Sequence, residues 1–286
     1  MKLSATLILL LLFSFQASAQ KDETDRQRNA PVEPFRVIDN VYYVGASDVT
    51  SFLVTTPRGH ILIDAGYAET APQIKANVAR LGFKIEDVKI LLTTQAHFDH
   101  AGGLAELKRA SGARLLASKE EATLLANGGK GDFAFGDRLP YEPVTTDRTI
   151  ADGEKISLGG VTLKAVSTPG HTKGCTAFTT TVREGGKKYE VVFFGSTTAP
   201  GYRLVGNEKY PNLVADYEHT FRVSKALTPD VFLASHGSFF DLAGKAERAR
   251  KGASPNPFID PQSYRRYLEA TEKTFREQLL KETQTK

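Results

Sequence analysis

Thr93-Thr94-Gln95-Ala96-His97-Phe98-Asp99-His100-Ala101-Gly102-Gly103 follows the apolar run Ile90-Leu91-Leu92 and gathers two imidazoles, a carboxylate and an amide into six residues. Imidazole nitrogens and carboxylate oxygens are the usual nitrogen and oxygen ligands of zinc, and hydrogen-bonded core packing does not require them at this density. On an extended segment Gln95, His97 and Asp99 point to one side, and His100 adjoins Asp99 where the chain turns into the next helix. One short loop at a strand end could therefore serve two metal ions.

The surrounding pattern is α/β. Residues 90–92 read as a strand buried on both faces, with the cluster at its C-terminal end, where ligand sites commonly form in such sheets. Upstream, residues 41–44, 52–55 and 60–63 read as short strands, the last two joined by a turn at Pro57-Arg58-Gly59. Ile74, Val78 and Leu81 recur at helical spacing over residues 70–81, before a stop at Gly82. Downstream come a helix from Leu104, a strand over 114–117 and a helix over 119–126. Residues 127–143 have no period but carry Phe133, Phe135, Leu139 and Tyr141, more apolar surface than a solvated loop needs, which makes them a candidate substrate-covering loop.

The second half returns to strands over 155–158, 161–167, 176–182 and 189–194, with hairpin turns at Gly159-Gly160 and Gly185-Gly186. A helix over 212–227 precedes a buried strand over 231–233. The tail helix has Asp260 as its N-cap and Pro261 in its first turn, with Tyr264, Tyr267, Leu268, Phe275 and Leu279 as a core-facing stripe. Two halves built of strands, then helix and strand, predict two sheets face to face with helices outside.

The precursor opens with Lys2, an apolar run over residues 7–15 and Ala17-Ser18-Ala19, the pattern cut by a signal peptidase before Gln20. The expected organisation is a cleaved signal peptide over 1–19, a flexible polar arm over 20–34 and a single domain over 35–286, exported to the periplasm. The apolar run is shorter than the roughly 20 residues of a membrane span, so no membrane anchoring is expected. Cleavage removes one charged residue, Lys2, leaving 36 basic against 33 acidic residues and lowering the formal charge from +4 to +3. Basic and acidic residues are interspersed, which argues against a nucleic-acid partner, and no obligate protein partner is expected. With Cys175 as the single cysteine, no intramolecular disulfide can form.

Two further histidines end strands: His171 after Thr168-Pro169-Gly170, and His236 after Leu233-Ala234-Ser235. His60 within a strand and His219 within a helix stand outside this scheme. The cluster at residues 95–100, the Pro169-Gly170-His171-Thr172 turn and Ser235-His236-Gly237 resemble the H-x-H-x-D-H, His and His set of the metallo-β-lactamase superfamily. Residues 194–202, Asp147-Arg148 with Asp152-Gly153-Glu154, and Tyr210-Pro211 narrow the resemblance to the third subclass of class B β-lactamases, in a variant bearing glutamine at the first ligand position.

The resemblance implies an αββα sandwich, with Gln95, His97 and His171 on a first zinc and Asp99, His100 and His236 on a second. It implies hydrolysis of the β-lactam amide of penicillins, cephalosporins and carbapenems through a zinc-bound hydroxide oriented by Asp99, and hence antibiotic resistance. Ser196 and Thr198 match the positions that hold the substrate carboxylate, and Phe135 and Leu139 would wall the substrate. Many hydrolases of the superfamily place a metal-bridging aspartate where this chain has Ser196, which argues against lactone and thioester substrates. An amide oxygen binds zinc more weakly than an imidazole nitrogen, so the first site should be the weaker. The rival readings are a lactone or thioester metallo-hydrolase and a periplasmic zinc-binding protein whose catalysis Gln95 impairs. Cys175, four residues after His171, reads as a small buried core residue and not a ligand.

Overall fold

The computed structural model describes residues 23–284, so the expected leader and cleavage site lie outside the described residues. After a short helix over residues 23–28 (α1), β1 (Phe35–Ile38), β2 (Val41–Tyr43), β3 (Phe52–Thr56) and β4 (Gly59–Ile63) form an antiparallel meander. Helix α2 (Thr70–Arg80) then crosses over to β5 (Val88–Leu92), which runs parallel to β4. Helices α3 (Phe98–Ala101) and α4 (Leu104–Ser111) lead to β6 (Arg114–Ser118). Helix α5 (Lys119–Ala126) and a long loop lead to β7 (Arg148–Ile150), and both strands join in parallel to complete a seven-stranded sheet in chain order.

The second sheet has five strands in the order β12-β11-β10-β9-β8. Strands β8 (Lys155–Leu158), β9 (Val161–Ser167), β10 (Thr176–Glu184) and β11 (Lys187–Phe194) are antiparallel neighbours. Gly159-Gly160 and Gly185-Gly186 make the two hairpin turns, with positive φ at all four residues, as tight two-residue hairpins require. Helix α6 (Leu213–Lys225) carries the chain to β12 (Val231–Ala234), parallel to β11 at the sheet edge. Helices α7 (Leu242–Arg250) and α8 (Pro261–Gln284) close the chain; Asp260 Oδ1 caps α8 by accepting from Ser263 N at 3.2 Å.

The layering follows from the two-residue period of strands. Phe52, Val54, Ile61, Ile63, Leu92 and Leu116 point into a core shared with Phe178, Val191 and Phe193 of the second sheet. Their neighbours Leu53, Leu62, Leu91 and Leu115 point the other way and pack against Ile74, Val78, Leu104 and Leu107 of α2 and α4. Tyr264, Tyr267 and Leu268 of α8 cover the outer face of the second sheet. The result is the expected αββα sandwich.

Two expectations differ in detail. Of the run 90–92 read as buried on both faces, Leu91 and Leu92 are buried while Ile90 is half-buried, and β5 starts two residues earlier at Val88. The arm over 20–34 is, from residue 23 onward, tied to the body: Asp48 N and Val49 N donate to Arg28 O, Thr70 Oγ1 donates to Asn29 Oδ1 at 2.6 Å, and Tyr67 OH to Asp25 Oδ1 at 3.1 Å. Its polar side chains find partners on the loops after β2 and β4, which composition alone does not reveal.

Candidate metal centre

Four strand ends meet at one edge of the sandwich. Past β5, the chain is gripped by Asp64, which follows β4 in a left-handed conformation with φ 61. Its carboxylate accepts from Thr93 Oγ1 at 3.0 Å, Thr94 N at 2.7 Å and Thr94 Oγ1 at 2.7 Å, while burial pushes its carboxyl up to about 7. Thr176 N of β10 donates to Thr94 O at 2.8 Å, and Ser235 N after β12 donates to Phe194 O at 2.9 Å, so loops from both sheets are stitched together. The extended alternation expected from Gln95 to Asp99 ends at His97. Asp99 and His100 lie in the helical turn α3, because His97 O accepts from His100 N and Ala101 N.

The structure brings Asp99, His100 and His236 together with their donor atoms within 4.8 Å of one another. Asp99 Oδ2 stands 3.4 Å from His100 Nε2 and 3.6 Å from His236 Nε2. Beside them the rings of His97 and His171 are 4.8 Å apart. Gln95 is fully buried, with Nε2 3.4 Å from Ser235 Oγ. All six residues singled out in the sequence thus lie at the same edge.

The outer nitrogens of three imidazoles are engaged, which decides which atom faces inward. His171 Nδ1 donates to Thr198 O at 2.8 Å, leaving Nε2. His236 Nδ1 pairs with Asp48 Oδ2 at 2.9 Å, again leaving Nε2. His97 Nε2 faces Asp132 Oδ2 at 3.6 Å, leaving Nδ1. Burial drives His100 and His171 down to about 3, so both rings are neutral at pH 7. Burial pushes the Asp99 carboxyl up, but His100, His236 and His97 outweigh it and hold the group below its usual range. Burial likewise opposes ionisation of Asp48, and the hydrogen bond and charge of His236 overcome it to hold that carboxyl well below the usual range. The neutral rings of His100 and His171 beside the ionised Asp99 carboxylate suit a metal ion, whose ligands must be deprotonated.

The residues fit a metal. Gln95 Oε1 is buried in this cluster with no hydrogen-bond partner, and an unsatisfied buried polar atom is costly unless an ion or its water completes it. His60 and His219 take no part. His60 Nδ1 accepts from Thr56 N at 3.4 Å and its ring packs on Phe83, while His219 is hydrogen-bonded by Arg222 on an exposed helix face. Cys175 is buried, and burial pushes its thiol up to about 12.

Around the cluster, the Phe135 ring lies 5.0 Å from that of His97, and Leu139 lines a small recess with His97, Phe135 and Tyr141. Phe133 of the same loop turns away and packs against Tyr202 and Tyr210 at 5.0 and 4.9 Å. Ser196 and Thr198 are joined, Oγ to Oγ1, at 2.9 Å, and Ser196 Oγ accepts from Thr198 N at 3.1 Å. Ser196 is almost fully buried, whereas Thr198 borders an open groove. Sequence reasoning missed Asp48, Asp64, Asp132 and Glu121. Only Glu121 had a local signal, Ser118-x-x-Glu121, the spacing of a helix capping box.

The sequence profile of the Metallo-beta-lactamase superfamily matches residues 44–236. A metallo-beta-lactamase of Cronobacter sakazakii with an HARLDQ motif is 42% identical, covers 91% of this chain and 99% of its own, and superposes with a TM-score of 0.88. BJP-1, a subclass B3 metallo-beta-lactamase of Bradyrhizobium japonicum, is 39% identical over 91% of this chain and 98% of its own, with a TM-score of 0.85. A hydroxyacylglutathione hydrolase of Rhodopseudomonas palustris is 31% identical over 126 residues, 44% of this chain and 41% of that protein. The chain thus spans about two-fifths of the length of that curated relative. On a matched profile that spans every strand end delivering the cluster, and on full-length likeness to solved members, the chain belongs to the metallo-β-lactamase superfamily and is a hydrolase of metallo-β-lactamase type.

Proposed function

We propose that the protein is an exported, periplasmic zinc β-lactamase that opens the amide of penicillins, cephalosporins and carbapenems and thereby confers antibiotic resistance. The observation that carries this reading is the convergence of His97, His171, Asp99, His100 and His236 at one edge, in a chain whose likeness to β-lactamase structures runs nearly end to end. Gln95, His97 and His171 would hold one zinc, and Asp99, His100 and His236 a second. When bound, zinc supplies a Lewis acid and brings the pKa of coordinated water to ~7.

The protein's own groups do the positioning. Asp99 Oδ2, fixed between His100 and His236, accepts a hydrogen bond from the attacking water and aims it at the lactam carbonyl. Phe135 and Leu139 cover the substrate and exclude bulk water. Thr198, with Ser196 behind it, receives the substrate carboxylate. A hydrogen bond to a charged group contributes about 1.5–3 kcal/mol, and a handle remote from the reacting bond acts on ground and transition states alike. Replacing both Ser196 and Thr198 by Ala should therefore raise KM by about tenfold or more, with a much smaller fall in kcat. Unchanged KM would remove the pair from recognition.

Turnover of a chromogenic cephalosporin by purified protein, lost on chelation and restored by zinc, tests the main reading. The local likeness to a hydroxyacylglutathione hydrolase gives the second reading. Efficient hydrolysis of hydroxyacylglutathione with no cephalosporin turnover, by the same zinc-loaded preparation, would favour it.

A further inference from the structure

Glu121 lies in the first turn of α5, capped by Ser118, whose Oγ accepts from Glu121 N at 3.3 Å. A glutamate at this position commonly folds back onto the capping residue. Here it turns inward, and its side chain is almost completely buried. Oε2 accepts from Ala96 N at 2.7 Å, the peptide between Gln95 and His97. Oε1 accepts from Gly174 N at 3.0 Å and from the Thr172 hydroxyl, both just past His171.

The neighbours of this carboxylate reinforce the same two backbones. Tyr141 OH donates to Ala96 O at 2.7 Å, so the Ala96 residue is held at both its N–H and its C=O. Ser118 Oγ donates to Gly174 O at 2.8 Å. A Cβ on Gly174 would strike Ser118 Oγ and the backbone nitrogen of Glu121, so this close approach of loop and helix needs glycine. Among the described residues no other carboxylate bridges the segment of Gln95 and His97 to that of His171.

We propose that Glu121 is a positioning residue for the first metal position: by clamping the Ala96 peptide to the Thr172–Gly174 turn, it sets the separation of the donors on Gln95, His97 and His171. The inference rests on the reading that these three residues hold a metal. An ionised carboxylate offers acceptors on both oxygens, which three converging donors require. Glutamine has the same shape but one side is a donor, so in either orientation its NH2 faces a backbone N–H.

The test is chelator titration of zinc-loaded wild type, Glu121→Gln and Thr172→Val, with metal analysis of each step and thermal midpoints of the metal-free proteins. Losing a residue that orients a ligand typically costs 10- to 100-fold in metal affinity. Glu121→Gln should release its first equivalent at a free chelator concentration about 10- to 100-fold lower than wild type, with the second release unmoved. Thr172→Val, which keeps the carboxylate and removes one donor, should shift the same step by a smaller factor. A general structural role would instead lower the metal-free midpoint and shift both steps together, and that result, or release like wild type in both variants, overturns the proposal. A wild type that binds a single equivalent overturns the three-ligand reading and this inference with it.

Discussion

His236→Ala is expected to lose one equivalent of metal on dialysis and with it nearly all hydrolysis, while its far-UV spectrum stays native. His236 Nε2 stands 3.6 Å from Asp99 Oδ2, and Asp48 fixes the ring from behind at 2.9 Å. Alanine leaves Asp99 and His100 as the remaining donors of that position and removes the imidazole that holds Asp48 below its usual range and helps His100 do the same for Asp99. Loss of a ligand should exceed the ~10- to 100-fold cost of losing a residue that only orients one. We expect kcat/KM to fall by about 10³-fold or more, roughly 4 kcal/mol of transition-state stabilisation. The fold should survive because His236 lies past the end of β12, outside the apolar core that Phe232 and Leu233 join. Metal analysis beside steady-state kinetics checks this, and wild-type turnover in metal-analysed His236→Ala would contradict the assignment.

The fold was legible where one local rule dominated. Apolar strands such as Ile61-Leu62-Ile63 and Leu91-Leu92, the paired glycines of both hairpins, and Asp260 before Pro261 each carry their signal within a few residues. No apolar period marks helix α7, because Leu242–Arg250 carries four charged residues and a glycine. One of its few inward residues is Lys245, whose Nζ lies 3.3 Å from Asp260, so the usual apolar period is broken. Strand β7 has three residues, with Ile150 alone buried, too short for a period to show. The metal cluster was legible because four of its members sit within six residues. The groups that orient it were not: Asp48 is 188 residues from His236, and Asp132 sits in an aperiodic loop. Such contacts exist only once the sheets have packed.

Gln95 carries the other large effect. Ser235 Oγ donates to Gly195 O at 2.8 Å, so its lone pairs face Gln95 Nε2 at 3.4 Å. That pins the amide nitrogen outward and leaves Oε1, buried and without a partner, as the atom offered to the first metal position. A neutral amide oxygen is a poorer donor to borderline-soft zinc than an imidazole nitrogen, whereas the Asp99, His100, His236 position includes a full negative charge. Wild type should therefore lose its zinc in two steps under chelator, the first at a much lower concentration. Gln95→His should tighten that first step by at least about tenfold, or 1.4 kcal/mol, and draw the two steps together. Gln95→Ala should weaken it by about 100-fold or more, beyond the cost of losing an orienting residue. If Gln95 only hydrogen-bonds a metal-borne water, alanine should cost little, and wild type and Gln95→Ala would release both equivalents at the same chelator concentrations. Coincident titrations would end the ligand role and leave the water-orienting one.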